Sequence, residues 1–245
     1  MRITMVGHST VIIEAGGVRF LTDPFFAART MPGTRRTHPP AMSAGEAALV
    51  DAVLLSHTHP DHCDPAFFEA LPAGVPVFAV DGTSWPSAVR RPAGARTLAE
   101  WDSFRIGGAN VTVTPADHPG PACGFIVGED GPGGFGDRGP VAYFAGDTRH
   151  APFMAEIGPR YDPGVALLPL RNVRVAPVMG VSQVVSAARD LTCRVVVPIH
   201  CGIRTAAAWL TSDDAVDRLR EEMSRELPDI TLTVLAEGET LDVPR

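Results

Sequence analysis

Residues 53–64 read VLLSHTHPDHCD, a short apolar run followed at once by three histidines and two aspartates. If the chain stays extended after the apolar run, the imidazoles of His57 and His59 project to the same side. The proline that follows favours a turn, which would bring Asp61 and His62 towards a second centre close by. Imidazole and carboxylate groups suit zinc, and also iron or manganese. The stretch therefore predicts a metal site at the end of a buried strand.

The composition of the 245-residue chain narrows the classes of function. A hydrophobic content of 45% is enough for a substantial core, so we expect an ordered globular protein. The formal net charge of −7 argues against a general polyanion binder, which needs a basic surface to displace counterions from phosphates. Nucleic acid is therefore not the favoured partner. All 21 basic residues are arginine, which excludes mechanisms built on a lysine amine.

The sequence shows no pattern of export or membrane insertion. Its N-terminus, MRITMVGHSTVIIEAGG, lacks the sustained apolar run of a signal peptide, and no segment reaches the ~18 apolar residues of a membrane span. The four cysteines lack CxxC spacing and are too few for a disulfide scaffold. We expect a cytoplasmic protein with free thiols and no membrane span.

Short apolar runs and helical segments alternate along the chain. The runs are mostly β-branched, four to seven residues long, and bounded by Gly, Pro or Asp, which is typical of strands. Helices are predicted around residues 65–70, 151–158, 181–190 and 212–226. This pattern predicts an α+β protein. The alternation of strands and helices taken alone would favour α/β.

An internal repeat is visible when the polar residues at strand ends are used as markers. The markers, in matching order, are His8, Asp23 and His57 in the first half and His118, Asp147 and His200 in the second. Two similar β-rich halves packed face to face would bring both sets of strand ends to one edge. Chance similarity between short strands is the alternative. No linker is visible between the halves, so residues 1–245 are predicted to form a single domain.

Three further motifs place a histidine or an aspartate at a strand end. They are TPADH at His118, AGDT at Asp147 and PIHC at His200. Together with HTHPDH after VLLS, they resemble the signature of the metallo-β-lactamase fold superfamily, and the resemblance spans nearly the whole chain. The stretch GHSTVIIEAGGVRFLTDPFF and the loop RRTHPP also resemble the branch that contains ascorbate-6-phosphate lactonase and N-acyl phosphatidylethanolamine phospholipase D type hydrolases. The resemblance implies a four-layer αββα sandwich with a metal site at one edge, between two β-sheets.

The resemblance also implies a set of metal ligands. By position, His57, His59 and His118 would hold the first ion, Asp61, His62 and His200 the second, and Asp147 would bridge them. Two divalent ions are expected, with zinc favoured and manganese or iron as alternatives. A hydroxide bridging both ions would be the nucleophile, because metal coordination lowers the pKa of water to about 7. Asp61 would both ligate and steer that hydroxide.

Residues around the implied metals are also candidates for function. His8 is a catalytic candidate beside Asp61, predicted to lie near the rim of the site and to contact substrate; a structural role is the alternative. Asp23 is predicted to accept a hydrogen bond from a ligand histidine and so to fix its orientation, unless it only forms an Asp-Pro turn. Arginines after strand ends would bind an anionic substrate group in bidentate fashion, unless they are only solvated. These arginines are Arg35, Arg36, Arg149, Arg171 and Arg174.

The predicted function is that of a dinuclear metal-dependent hydrolase that cleaves an ester, lactone, amide or phosphodiester bond of a small molecule. The alternatives are an iron-dependent oxidoreductase, an RNA-processing nuclease and a metal-stabilised binding module. Relatives of the oxidoreductase type often carry a carboxylate at the second histidine of the motif, where this chain has His59. Nucleases of this fold typically need a basic exosite, and no basic run longer than two residues occurs here. The sequence predicts neither the particular substrate nor the oligomeric state.

Overall fold

Two seven-stranded β-sheets face each other in the computed structural model, which describes residues 1–129, 139–171, 173, 176–207 and 214–244. From one edge to the other, the first sheet consists of β16 (Thr240–Asp242), β1 (Arg2–Gly7), β2 (Thr10–Ala15), β3 (Val18–Thr22), β5 (Ala52–Leu54), β6 (Val77–Val80) and β7 (Ala95–Leu98). The second consists of β15 (Thr231–Leu232), β13 (Val195–Ile199), β12 (Val165–Pro169), β11 (Val141–Phe144), β10 (Gly124–Glu129), β9 (Ala109–Thr114) and β8 (Ser103–Ile106). A separate ribbon pairs β4 (Thr34–Arg36) with β14 (Ile203–Thr205).

The two sheets share one topology, as the predicted repeat requires. In the first sheet β1, β2 and β3 pair antiparallel, and β3, β5, β6 and β7 pair parallel. In the second sheet β9, β10 and β11 pair antiparallel, and β11, β12, β13 and β15 pair parallel. One equivalence drawn from the sequence is wrong. The strand before His200, β13, corresponds in sheet order to β6 and not to β5, the strand before His57.

Alternate residues of the strands face two different cores, because successive side chains of a strand point to opposite sides of the sheet. The core between the sheets includes Phe20, Leu54, Phe125, Phe144 and Leu167. The outer face of the first sheet packs against α1 (Ala44–Ala47) and α2 (Pro65–Ala70), and that of the second against α3 (Met154–Tyr161), α4 (Val181–Leu191) and α5 (Ala215–Glu226). The layers run helix, sheet, sheet, helix, which confirms the predicted four-layer αββα sandwich of mixed α and β structure.

The elements that sequence reasoning missed are short and exposed. They are α1 and the strands β4, β7, β8, β14 and β16. Half or more of the residues in each of these strands reach solvent, so their apolar signal is weak. The four predicted helices correspond to α2, α3, α4 and α5. The predicted start of the last helix and the Gly-rich connection after β10 lie outside the described residues.

Polar residues that follow strands of both sheets lie together at one edge of the sandwich. The residues that follow these strands are Asp23 after β3, His57 after β5, His118 after β9, Asp147 after β11 and His200 after β13. The hairpins between β2 and β3 and between β8 and β9 lie at the opposite edge. Because both sheets share one core, we propose that residues 1–245 form one domain.

Candidate metal centre

A tight turn after β5 carries four of the predicted ligands. The backbone carbonyl of His59 accepts hydrogen bonds from the N–H groups of His62 and Cys63, at 2.9 and 3.0 Å. Asp64 then caps α2, and one of its carboxylate oxygens also accepts two backbone N–H groups from the segment that follows Asp23. The turn is therefore anchored both to the helix after it and to the loop that follows β3.

Histidine and carboxylate side chains from both halves of the chain converge into two adjoining groups. Within each group, one possible ligand atom of every member lies within 4.8 Å of the others. The first group is His57, His59 and His118, and the second is His8, Asp61, His62 and His200.

Asp147 lies between these two groups. Its Oδ2 is 3.7 Å from Nε2 of His118 and 3.2 Å from Nε2 of His200. Its Oδ1 is 3.4 Å from Nε2 of His62. The structure thus brings together all seven residues that the sequence suggested as metal ligands, with one carboxylate facing both groups.

Three of these imidazoles are held by their outer nitrogens. Nδ1 of His62 is 2.7 Å from Oδ2 of Asp23, and Nδ1 of His57 is 2.9 Å from the hydroxyl of Ser56. Nδ1 of His118 lies 3.1 Å from the next backbone carbonyl. Their Nε2 atoms are buried and have no hydrogen-bond partner among the described residues. Because unpaired buried nitrogens cost free energy, three of them around one carboxylate fit a metal ion.

Asp23 and Ser56 fix the tautomers of two histidines. The buried carboxylate of Asp23 accepts hydrogen bonds from both the backbone N–H and the hydroxyl of Ser56, at 2.7 and 2.5 Å. The Ser56 hydroxyl donates its only hydrogen to Asp23. The hydroxyl oxygen of Ser56 must therefore accept the Nδ1–H of His57. His57 and His62 therefore present the lone pair of Nε2 to the centre. Sequence reasoning missed Ser56, whose only signal is its position directly before His57.

The charges of the centre are arranged for cation binding. Burial would raise the pKa of Asp147, but the neighbouring His200 and His62 hold that pKa well below its ordinary value. Burial and the nearby His62 hold the pKa of His57 well below its ordinary value, so His57 stays neutral. Burial disfavours a charge on His62, yet Asp147 and Asp23 hold its pKa well above the ordinary value. A metal ion would therefore compete with a proton for His62.

Comparison with known proteins identifies the family. The family model described as a beta-lactamase superfamily domain matches residues 18–201. The chain belongs to this superfamily. A metal-dependent hydrolase from Nitratidesulfovibrio vulgaris, strain Hildenborough, is 30% identical over 254 residues, which cover 100% of this chain and 96% of the relative. These findings confirm the prediction of a metal-dependent hydrolase, whereas the narrower branch suggested by the sequence stays a prediction.

Solved structures with the superfamily fold cover nearly all of this chain. A possible metal-dependent hydrolase from Veillonella parvula superposes with a TM-score of 0.76 at 19% identity, and the match covers 98% of both chains. CmlA, a diiron β-hydroxylase from Streptomyces venezuelae, superposes with a TM-score of 0.69 at 15% identity, over 98% of this chain and 53% of CmlA. These likenesses show the fold. In the part of the chain that the structure describes, no helix is long and apolar enough to cross a membrane.

His8 lies deeper in the candidate metal centre than the rim position expected from the sequence. Its side chain is fully buried, with Nε2 3.5 Å from Oδ2 of Asp61. Its Nδ1 accepts a hydrogen bond from the backbone N–H of Gly202 at 3.2 Å, so the ring hydrogen of neutral His8 is on Nε2. Burial and the neighbouring His200 lower the pKa of His8 to about 3, which keeps the ring neutral. A nitrogen that carries hydrogen donates a hydrogen bond and does not bind metal.

The arginines suggested by the sequence lie in different places. Arg149 pairs with Asp117 at 3.1 Å, next to the predicted ligand His118. Arg36 lies beside Gly7 and lines a cavity that also reaches His8. Arg171 lines a different cavity at the start of α4, and no described contact joins it to the metal centre. Arg174 lies outside the described residues.

Proposed function

We propose that this metal-dependent hydrolase binds two divalent ions and cleaves an ester, lactone, amide or phosphodiester bond of a small molecule. The observation that carries this proposal is the position of Asp147, whose Oδ2 lies 3.7 Å from Nε2 of His118 in the first group and 3.2 Å from Nε2 of His200 in the second. The donor set of imidazoles and carboxylates suits zinc best, with manganese or iron as alternatives. We also propose a cytoplasmic location, which suits the four free cysteines.

The residues present would divide the binding of the two ions. His57, His59 and His118 would hold one ion, Asp61, His62 and His200 the other, and Asp147 both. Ions bound there would supply Lewis acidity and bring the pKa of water to about 7. Asp23 and Ser56 would keep the ligand rings oriented through the hydrogen bonds described above.

Asp61 and His8 are the proposed catalytic residues of the chain. Asp61 is the more accessible of the two, and its Oδ2 is 3.5 Å from Nε2 of His8 and 3.7 Å from Nε2 of His200. One carboxylate oxygen would orient the attacking water and accept its proton, while Nε2–H of His8 would donate to Asp61 or to a substrate oxygen. The buried Nε2 of His8 makes no hydrogen bond among the described residues, and the Oδ2 of Asp61 at 3.5 Å would be its partner when no substrate is bound.

An iron-dependent oxidoreductase remains the second candidate, because the diiron hydroxylase CmlA has the same fold. At the second histidine of the motif, however, this chain carries His59, an imidazole that suits zinc as well as iron. We therefore favour hydrolysis. A coloured, iron-loaded protein that consumes oxygen would reverse this choice.

Metal analysis combined with a substrate panel tests the proposed function. We expect close to two zinc, manganese or iron ions per chain and turnover of at least one member of a panel of lactones, esters, amides and phosphodiesters. Asp61→Ala should abolish that turnover, whereas His8→Ala should keep both ions and lose rate by about 10²–10³-fold. A folded sample that contains no metal and takes up none on reconstitution would rule out the proposal. Turnover unchanged in Asp61→Ala would do the same.

A further inference from the structure

The ring of His8 is held in place by contacts on several sides. Its Nδ1 accepts the backbone N–H of Gly202 at 3.2 Å, and its centre lies 4.4 Å from the centre of the His200 ring. It also packs against Phe25, with ring centres 5.8 Å apart and ring planes at 69°. Such edge-to-face packing constrains the tilt of one ring as long as the other ring stays fixed. The direction of the Nε2–H of His8 therefore depends on Phe25.

Phe25 is fully buried and is held by both groups of its backbone. Its N–H donates to the hydroxyl of Thr10 at 3.0 Å, and that hydroxyl donates to the carbonyl of Asp23 at 2.7 Å. Its carbonyl accepts a hydrogen bond from the Arg36 guanidinium at 2.8 Å. The same guanidinium lies over the Phe25 ring, with Cζ 4.3 Å from the ring centre. Arg36 thus contacts both the backbone and the side chain of Phe25.

The side chain of Arg36 points inward from the ribbon of β4 and β14. Successive side chains of a strand alternate in direction, and in β4 Arg35 is exposed whereas Arg36 is half-buried. A Cβ added at Gly7 would lie 3.3 Å from Nη2 of Arg36 and 3.3 Å from Cγ of Glu237. Arg36 therefore lies between Glu237 and the turn that carries His8, and its charge is balanced within the protein.

We propose that Arg36 is a positioning residue that acts on His8 through Phe25. By fixing the Phe25 ring, Arg36 keeps the His8 ring in place, with Nε2 3.5 Å from Oδ2 of Asp61. The proposal rests on the catalytic role proposed above for His8. It gives Arg36 a different role from the substrate contact that the sequence suggested.

A double-mutant cycle with Arg36→Met and His8→Ala tests whether Arg36 acts through His8. Methionine keeps a long side chain but has no charge and no hydrogen-bond donor. For metal-loaded protein and a substrate from the panel described above, Arg36→Met should lower kcat by about 10–100-fold and leave KM and metal content unchanged. In the His8→Ala background it should lower kcat by less than about twofold, because the ring on which it acts is absent. Equal losses in both backgrounds would overturn the proposal.

Two further variants separate the contact with Phe25 from charge and from the general loss of an arginine. A lysine can donate to the Phe25 carbonyl or lie over its ring, but it lacks the planar fork that does both, so Arg36→Lys should remain about tenfold slower than the wild type. Full activity in Arg36→Lys would assign the effect to charge and overturn the proposal.

Arg96→Met is the matched control for these variants. Arg96 is exposed on the edge strand β7 and lies over the ring of Phe78, with Cζ 5.8 Å from the ring centre. This variant loses a similar contact away from His8 and should keep the wild-type kcat. Unfolding curves check that each variant folds.

The tautomer of His8 gives a measurement that needs no substrate. In nitrogen-15 NMR spectra of the zinc-loaded protein, the signals of His8 are identified by their absence from His8→Ala. The wild type should show a protonated Nε2 and an unprotonated Nδ1, as the hydrogen bond from Gly202 requires. In Arg36→Met the two shifts should move towards each other, because a ring that leaves Gly202 samples both tautomers.

The NMR result also distinguishes failure of this proposal from failure of the proposed function. Unchanged His8 signals in Arg36→Met would overturn the positioning role of Arg36, whatever the turnover. Shifted His8 signals in a protein that turns over no member of the panel would support the positioning role while rejecting the proposed reaction.

Discussion

Asp147 and Asp23 are both buried carboxylates of the metal site, yet they face different atoms. Asp147 meets the inner Nε2 atoms of His118 from the first group and His200 from the second, at 3.7 and 3.2 Å. Asp23 meets the outer Nδ1 of His62 and the hydroxyl of Ser56. The first position suits an anion shared by two cations, and the second suits a partner that orients a ligand without binding metal itself.

Replacing these two carboxylates should therefore have different effects. We expect Asp147→Asn to lose or weaken one metal ion together with the activity, because a neutral amide binds metal poorly and no longer offsets the repulsion between two nearby cations. Asp23→Asn should instead retain both ions at saturating metal, with a decrease of about 10–100-fold in metal affinity or rate. Metal stoichiometry and turnover are measured for both variants. An Asp147→Asn protein with two ions and normal turnover would refute the bridging role.

At the residue scale, the sequence predicted the candidate ligands that lie close to one another along the chain. The stretch from His57 to Asp64 stands out because three histidines and two aspartates within eight positions rarely gather without a common partner. Ser56 and Gly202 could not be predicted in the same way. Ser56 acts through Asp23, 33 positions away, and Gly202 through His8, 194 positions away. Such pairs become visible only when the fold has brought the two halves together.

At the scale of elements, the end of β11 is shaped by a glycine. Gly146 has a φ of +59°, a conformation that side chains disfavour. A Cβ added there would lie 2.6 Å from Cβ of Ser56 and 2.7 Å from the backbone oxygen of Cys123. Because Gly146 has no side chain, the end of β11 in the second half can approach the Ser56 segment of the first half closely. Asp147, the next residue, is placed beside that segment.

Gly146→Ala should destabilise the protein and disturb the metal site together. We expect the free energy of unfolding to fall by about 2–4 kcal/mol, from backbone strain and from the clash with Ser56. Gly33→Ala is a suitable control, since Gly33 has a φ of +83° but an added Cβ would meet nothing within 4 Å. That control should lose only the strain energy, about 1–2 kcal/mol. Urea unfolding and metal content are the measurements, and equal losses in the two variants would contradict the proposed clash.

Strands whose residues are almost all buried were predictable from the sequence, because burial requires apolar residues. β2, β3, β5, β11 and β12 are almost entirely buried, and each is an apolar run that the sequence shows directly. β7 and β8 consist only of exposed and half-buried residues at sheet edges, where polar side chains are tolerated, and they left no such signal. The cavity beside the metal centre depends on the ribbon of β4 and β14, so sequence reasoning could not find it.

At the scale of the whole molecule, the two sheets touch at both ends of the sandwich. One contact is the metal site, where strand ends of both halves converge. The other lies at the opposite edge, where the β2–β3 hairpin meets the β8–β9 hairpin through a hydrogen bond of 3.0 Å from the N–H of Gly108 to the carbonyl of Gly16. The repeat in the sequence predicted the first convergence, because polar residues mark it. The second is a contact between backbones and has no side chain that could reveal it.

The contact between the two hairpins can be tested with a matched pair of substitutions far from the metal centre. Gly16 and Gly17 are neighbours with φ of +56° and +74°, so replacing either by alanine introduces similar backbone strain. A Cβ at Gly16 would lie 2.1 Å from the backbone of Gly108, whereas a Cβ at Gly17 would meet nothing within 4 Å. Because the obstacle at Gly16 is backbone of the other sheet, the clash can be relieved only by moving the two sheets apart.

Gly16→Ala should therefore cost about 1–3 kcal/mol more free energy of unfolding than Gly17→Ala, the usual range for an overpacked contact. Urea unfolding of both variants at the same metal saturation measures the difference. Metal content should stay at the wild-type value in Gly17→Ala, because that turn lies at the edge opposite the ligands. If the two variants lose the same free energy, the hairpins do not hold the sheets together at that edge, and the contact between Gly16 and Gly108 contributes nothing to the packing of the two halves.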